Sequence, residues 1–572
     1  MSQPSQFSLL TQRRFGPFFW TQFFGAFNDN LFKTALLVAL TFDTANWTTA
    51  DPGMLNNLIA GLFILPFVLF SATAGQVADK FDKARMARFV KLLEIAIMLV
   101  AGIGWLTHTL WVLVAAVIGM GLHSTLFGPV KYAYLPQHLK SEELVGGNGV
   151  IEMGTFVGIL LGEVAGTLLV GVKPWGIELV AGGTLLCALL GLAASWRIPP
   201  SPAPAPELRI SRNPFAESIR NLKFSSQNRT VFLSMLGNSW FWFYGALLLS
   251  QFPLYAKDYL HGDHSVIMLL LTVFSLGIGA GSLLCEKLSG HKVEIGLVPF
   301  GSIGLSVFGI DLYFASVAYT EANGAAMVDA LTLLGLPGVW RIMLDLVLIG
   351  VFGGLFIVPL FALIQTRCDP KHVSRTIAGM NILNALFMVA AAGLAIVLLG
   401  QGFTIPEMFL VTALLNACVA VYIFSLVPEF LMRFLAWMLI HTGYRVRTID
   451  ADRIPEQGAA VLVCNHVSYV DALVIGAASP RPIRFVMDHR IFRTPFLRWI
   501  FRAAKAIPIA PAKEDPFMME RAFIDVAQAL HEGELVCIFP EGKLTHTGEI
   551  NPFRGGVSRI VERSKVPVIP MA

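Results

Sequence analysis

The chain has 572 residues, 55% of them hydrophobic and only 14% charged, with a formal net charge of +4. That composition excludes a soluble multidomain enzyme and indicates a polytopic membrane protein. The six cysteines (Cys187, Cys285, Cys368, Cys418, Cys464 and Cys537) show no CxxC or ligand spacing, so neither a disulfide framework nor a metal site is expected.

From the N-terminus, Met1 to Arg14 does not read as a cleavable signal, because the first apolar run is too long and more follow. Apolar runs of roughly 20 residues, enough to cross a bilayer, recur up to residue 427. The expected spans are 17–41, 54–74, 86–106, 109–129, 146–172, 176–196, 231–254, 265–285, 294–318, 341–364, 376–400 and 407–427. One set of connecting loops collects the Lys and Arg: Arg13/Arg14, Lys80/Lys83/Arg85/Arg88, Lys131/Lys140, Arg209/Arg212/Arg220/Lys223/Arg229, Lys287/Lys292 and Arg367/Lys371/Arg375. The alternate set holds little beyond Lys173 and Lys257, so both chain ends are expected on the cytoplasmic side.

An internal repeat divides the spans into two six-helix halves. Gly119-x-Gly121 leads to Pro129 and Gln137, and Gly350-x-x-Gly353 leads to Pro359 and Gln365. Each is followed by a helix opening Gly-x-Asn, at Asn148 and at Asn381. Ionisable residues inside spans are costly and therefore informative. Asp29 and Lys33 stand four apart on the first helix and can pair, and so can Arg341 and Asp345 on the tenth. Glu152 and Glu163, eleven apart on the fifth, return to one face, while Gly154, Gly158, Gly162 and Gly166 occupy another. The fifth helix is thus expected to pack by its glycines and to turn its glutamates to a cavity faced by the first helix. Asp29, Lys33, Glu152 and Glu163, with Asn28 and Asn30, are the candidate transport pathway.

The loop Gly75-Gln76-Val77-Ala78-Asp79-Lys80 with Lys83 and Arg85 resembles the signature of the major facilitator superfamily, and Glu286-Lys287 with Lys292 echoes it in the second half. The resemblance implies a cytoplasmic gate at Asp79, Lys80 and Arg85. The run Gln22 to Lys33, with Asn28-Asp29-Asn30 inside it, is similar to the bacterial lysophospholipid transporter family over roughly residues 10–427. Gly277-x-Gly279-x-Gly281 has no preceding strand and is no nucleotide loop, and no nucleic-acid partner is expected.

Residues 198–230 join the halves through a polyproline-like stretch, Pro199 to Pro206, and a basic segment expected on the anionic inner leaflet. Residues 428–444 read either as an interfacial helix or as a core helix of the C-terminal domain.

Residues 445–572 change character. A short apolar strand, Val461 to Cys464, runs into Asn465-His466-Val467-Ser468-Tyr469-Val470-Asp471, which carries a helix-start signal at Ser468-x-x-Asp471. A histidine held by a carboxylate suits removal of a hydroxyl proton; the alternative is a polar turn with Asp471 as a cap. A second strand, Glu534 to Phe539, meets Pro540-Glu541-Gly542-Lys543. With Ala506-Ile507-Pro508-Ile509 and Val566-Pro567-Val568-Ile569-Pro570, these form four ordered blocks that resemble the glycerolipid acyltransferases. That family moves an acyl group from a thioester to a lysolipid or glycerol phosphate hydroxyl. The resemblance implies catalytic His466 and Asp471, with substrate binding at Glu541, Gly542, Lys543 and Pro567. The usual arginines are missing from the second and third blocks, which leans toward the branch acting on 2-acylglycerophosphoethanolamine.

The expected fold is thus a helical polytopic membrane protein, a 12-helix major facilitator domain over residues 1–427, followed by an α/β acyltransferase domain. The expected function is lysophospholipid transport to the inner leaflet of a bacterial inner membrane and reacylation there. The acyl donor would be an acyl-carrier-protein thioester or acyl-CoA, with no bound cofactor and membrane lipid as surroundings. The alternatives are a transporter with an inactive or regulatory module, and a lysophosphatidate acyltransferase joined to a transporter of another solute. Because the sequence stops just after the fourth block, a longer parent chain with an acyl-activating domain is a further expectation.

Overall fold

The computed structural model describes residues 5–42, 46–48, 52–211, 213–290, 293–322, 327–450, 453–455, 457–545, 547 and 549–572. Arg212 and Lys292, named above in the basic loops, lie outside the described residues. The chain divides into two compact units, Met1–Val293 with Phe300–Ala420, and Glu294–Pro299 with Val421–Ala572.

The first unit is helical. Its first half comprises α1 (Gly16–Phe42), α2 (Pro52–Lys80), α3 (Lys83–Leu106), α4 (Leu110–His138), α5 (Leu144–Val170) and α6 (Gly176–Ser195). After α7 (Pro214–Ser226) come α8 (Arg229–Asp258), α9 (His264–Ser289), α10 (Leu297–Ala322), a one-turn α11 (Ala330–Leu333), α12 (Val339–Arg367), α13 (Val373–Gly400) and α14 (Ile405–Leu426). Among the described residues, 11 helices are long and apolar enough to cross a membrane. The remaining long helix, α1, has 27 residues and is about 40 Å long, but the polar run at Asn28–Lys33 dilutes its hydropathy. Helix starts follow local chemistry: the Asp82 carboxylate caps α3 by accepting the Arg85 N–H at 2.9 Å.

Glycine brings the helices together. On α5, Gly154 faces the Phe19 ring, Gly158 and Gly162 meet the Phe23 and Phe27 carbonyls, and a Cβ at Gly166 would stand 2.6 Å from Leu31 O. The glycine face therefore packs closely, as its spacing predicted, and its partner is α1, the helix expected across the cavity from the glutamates. Gly277 and Gly281 of α9 meet the Val347 and Val351 carbonyls of α12 in the same way, which agrees with a packing role for that cluster.

The halves meet where α5 packs on α9 and α2 on α13. Here the two copies of the repeated motif cross over. The Asn148 side chain (α5) donates to Gln365 Oε1 (α12) at 2.6 Å, and a Cβ at Gly128 (α4) would stand 2.7 Å from Asn381 Nδ2 (α13).

The linker differs from the spacer expected. Ser201 N–H donates to Asp82 at 2.7 Å, Ala205 N–H to Asp79 O at 3.0 Å, and Ser211 N–H to Gln76 at 2.7 Å. Helix α7 then packs on α2 and α13. Residues 201–211 and 213–226 are thus seated on protein, because polar groups at the α2–α3 corner accept their N–H groups.

The second unit contains α15 (Pro428–Gly443) and a sheet of β1 (Ala460–Cys464), β2 (Ile483–Asp488), β3 (Ile507–Ile509), β4 (Leu535–Ile538) and β5 (Val568–Met571). The strands are all parallel, in the order β3-β2-β4-β1-β5. Connecting helices are α16 (Asp471–Ala478), α17 (Pro495–Ala503), α18 (Pro516–His531) and α19 (Gly556–Arg563). Alternation along the strands serves both faces. Val461, Val536 and Ile538 pack with Phe523, Val526 and Leu530 of α18, whereas Leu462, Cys464 and Cys537 pack with Ile454 and Ile475. Of the two readings open for residues 428–444, the structure favours the core helix. Arg433 of α15 pairs with Glu294 and donates to Ser479 O at 2.8 Å, and Glu429 pairs with Lys505 at 2.8 Å. The compact unit thus includes Val421–Gly443 ahead of the expected acyltransferase domain.

The glycine packing is directly testable. Gly166→Leu should lower thermal stability in detergent by about 1–3 kcal/mol, since its Cβ would enter the α1 backbone. Gly182→Leu, where nothing lies within 4 Å, should be nearly neutral, and equal effects at the two positions would rule out the close α1–α5 approach.

Candidate active site and transport pathway

Sheet register assembles the acyltransferase site. Val463 of β1 lies opposite Ile538 of β4, so continuing three residues along each strand brings His466 beside Glu541 at the carboxyl edge. The His466 Nδ1–H is directed at Asp471 Oδ2, 3.0 Å away, and the same oxygen accepts the Val467 and Ser468 N–H groups at 2.8 and 2.9 Å. An ionised carboxylate only accepts, so the proton sits on Nδ1 and leaves Nε2 as the base. The imidazole stacks on Phe539 with ring centroids 4.1 Å apart. Asp471 opens α16, and its carboxylate supplies the acid's half of the capping box by accepting the Ser468 N–H, while the Ser468 hydroxyl accepts Val470 N–H and not that of Asp471.

Glu541 has a different task from the one expected. It is 1% exposed; Oε1 accepts the His466 N–H at 2.8 Å, while Oε2 accepts the Asn551 N–H and side-chain amide, each at 2.8 Å. Desolvation raises its pKa, but the Asn551 and His466 bonds outweigh that and hold the carboxyl below its ordinary range. These bonds tie the His466 loop to the Asn551 segment. Thr545 N–H completes the clasp by donating to His466 O at 2.8 Å. Lys543 is exposed on this loop, and Gly542 turns it with φ +64°. Pro567 is also displaced from its expected role. Its carbonyl accepts Val461 N–H at 2.9 Å at the start of β5, about 13 Å along the strand from the Met571 end. Asn551 was missed by the sequence reading, since no block spacing marks it.

In the membrane unit the charges find partners on other helices. Asp29 accepts the Ser124 hydroxyl at 2.5 Å and lies 3.9 Å from His123, both on α4, so the expected pair with Lys33 does not form. Lys33 donates to Asn30 at 3.1 Å and covers the Phe63 ring. Asn28 donates to Glu94 at 2.7 Å; Glu94 also pairs with Lys91 at 2.6 Å, and His123 Nε2 lies 3.2 Å away. Glu94 and Lys91 were overlooked, although a charged pair three apart inside an apolar run was a readable signal.

Glu152 accepts the Tyr132 hydroxyl at 2.5 Å, with Lys131 3.6 Å away. Glu163 shares no such bond and feels the charge of Lys33. The six expected pathway residues thus divide among separate clusters, and α1 packs directly against the glycine face of α5. Arg341 likewise pairs with Asp311 of α10, at 2.5 and 3.0 Å, and not with Asp345.

At the end carrying the basic loops, Asp79 is fully buried and pairs with Arg375 Nε at 2.9 Å, accepting also the Ser374 and Arg375 N–H groups. It therefore joins the halves at the start of α13. Lys80 lies over Phe81, and the Arg85 backbone N–H contributes to the α3 cap. Glu286 occupies the related position in the other half, accepting Gln6 N–H at 3.2 Å beside Gly146.

Comparison with known proteins defines the class. A family model for the Major Facilitator Superfamily matches residues 18–340, and one for acyltransferases matches residues 445–572. The chain belongs to the Major Facilitator Superfamily and carries a C-terminal acyltransferase domain. It is 28% identical to the lysophospholipid transporter LplT of Enterobacter sp. (strain 638), over 67% of this chain and 90% of that protein. It is 30% identical to LplT of Pectobacterium carotovorum, over 60% of this chain and 76% of that protein. Among solved structures, the human organic anion transporter MFSD10 aligns with a TM-score of 0.55 at 14% identity, covering 74% of this chain and all of that one. The Escherichia coli fucose:proton symporter FucP gives 0.54 at 12%, covering 71% and 97%, so these two show the fold alone.

Two substitutions separate positioning from binding. Glu541→Gln puts an amide NH2 against one of the N–H groups now accepted, so kcat should fall while the lysolipid KM stays nearly unchanged; a raised KM at unchanged kcat would place Glu541 on substrate. In the membrane unit, Glu94→Gln strands buried Lys91 and should destabilise by about 3–5 kcal/mol. Glu163→Gln should leave thermal stability intact and slow lysolipid transport, and undiminished transport would remove Glu163 from the pathway.

Proposed function

We propose that the chain moves lysophospholipid to the inner leaflet of a bacterial inner membrane and reacylates it there from an acyl thioester. The His466–Asp471 pair at the carboxyl edge of the sheet carries this reading, in a chain whose membrane part is related to lysophospholipid transporters. His466 Nε2 takes the proton of the lysolipid hydroxyl, and its oxygen forms a bond to the thioester carbonyl carbon. The tetrahedral intermediate then expels the thiolate; the C–S bond breaks, and the imidazolium returns the proton to sulfur. Asp471 fixes the tautomer and stabilises the imidazolium, and Glu541 and Thr545 hold the loop. Acyl-carrier-protein thioester and acyl-CoA both fit this chemistry. Both chain ends are cytoplasmic in this reading, from the charge bias of the loops. Joining the two activities in one chain raises the local concentration of lysolipid near the enzyme.

His466→Ala should abolish acyl transfer from either donor in the solubilised protein while lysolipid uptake continues in vesicles. Acyl transfer surviving at the wild-type rate would remove His466 as the base, and loss of uptake from well-folded protein would contradict two separate machines.

A further inference from the structure

The carboxylates nearest His466 are fully engaged, Asp471 by three donors and Glu541 by the His466 and Asn551 groups. The cations at this rim are not. Lys543 and Arg554 are both exposed, and among the described residues neither has a carboxylate partner.

Arg554 is held in a specific place. Its N–H donates to Pro540 O at 2.9 Å, and Asn551, three residues earlier, is fastened to Glu541. The segment therefore runs back along the Pro540–Glu541 turn and lays the Arg554 side chain across Gly542. A Cβ at that position would stand 2.8 Å from Nε and 2.9 Å from Cζ. Gly542 is required for its φ of +64°, and its missing Cβ leaves room for the guanidinium above it. The same short loop grips His466 on either side, through Glu541 and Thr545, so the guanidinium lies over the arc that holds the catalytic histidine. A planar fork of donors beside uncompensated positive charge is suited to phosphate oxygens. The third block, which runs Gly542-Lys543-Leu544-Thr545, lacks an arginine of its own.

We propose that Arg554, reaching back across Gly542, is a phosphate-binding residue of the acyltransferase site. This rests on the acyl-transfer reading above. Two substrates of that reaction carry the phosphate chemistry: the lysophospholipid head group and the phosphopantetheine arm of a thioester donor.

The test uses the solubilised full chain, with lysophospholipid and donor varied separately and monoacylglycerol as a phosphate-free acceptor. Arg554→Ala should raise the KM of one phosphate-bearing substrate about tenfold or more, the scale of one lost charge-assisted hydrogen bond, with kcat within about threefold. Arg554→Lys should recover part of the loss. A raised lysolipid KM, with monoacylglycerol turned over as by the wild type, assigns the head-group phosphate. A raised donor KM with either acceptor assigns the pantetheine phosphate. Two unchanged KM values, or a lowered unfolding midpoint in place of a KM effect, overturn the proposal. Wild-type protein that acylates no acceptor overturns the acyl-transfer reading itself, and the role of Arg554 with it.

Discussion

A carboxylate taken out of water must be met by donors or cations, and the positions of those partners decide much of this structure. Glu94 draws Lys91, Asn28 and His123 together and so ties α1, α3 and α4. Asp79 collects Arg375 and two backbone N–H groups at the start of α13, joining one half of the bundle to the other. In the acyltransferase unit Glu541 does the same on a smaller scale, fastening the histidine loop and the Asn551 segment to one strand end. Removing the charge in any of these places leaves donors unpaired in a poorly solvated interior, so the groups are not interchangeable with ordinary polar residues.

Helix existence was legible because apolar runs of bilayer length have few other readings. The glycine face of α5 was legible as well, since four glycines at four-residue intervals can only align on one side of a helix. Ion-pair partners were not. Spacing puts Asp29 near Lys33 and Arg341 near Asp345, but Ser124 and Asp311 on neighbouring helices take those places. A four-residue interval specifies a neighbour on one surface and says nothing of a closer partner across a helix contact.

The contact between His466 and Asp471 was readable from one short block, because both residues lie on a single turn and their chemistry constrains each other. Glu541 was placed next to them, but its bonds to His466 and Asn551 were not legible, since the block does not reveal which way its carboxylate faces. The parallel register of β1 and β4 settles that by setting it against the His466 N–H. Arg554 lay beyond any block, and only the fold brings it over Gly542.

In the proposed function transport and acyl transfer are consecutive steps, linked by the side of the membrane on which the lysolipid emerges. The most direct measurement is sided: purified full-length chain in sealed vesicles of known orientation, with labelled lysophospholipid outside and the thioester donor confined to one compartment. The account predicts labelled diacyl product when the donor shares the compartment of the chain ends, and slower formation of that product when transport is slowed by Glu163→Gln. Product formed only with donor on the opposite side would contradict it.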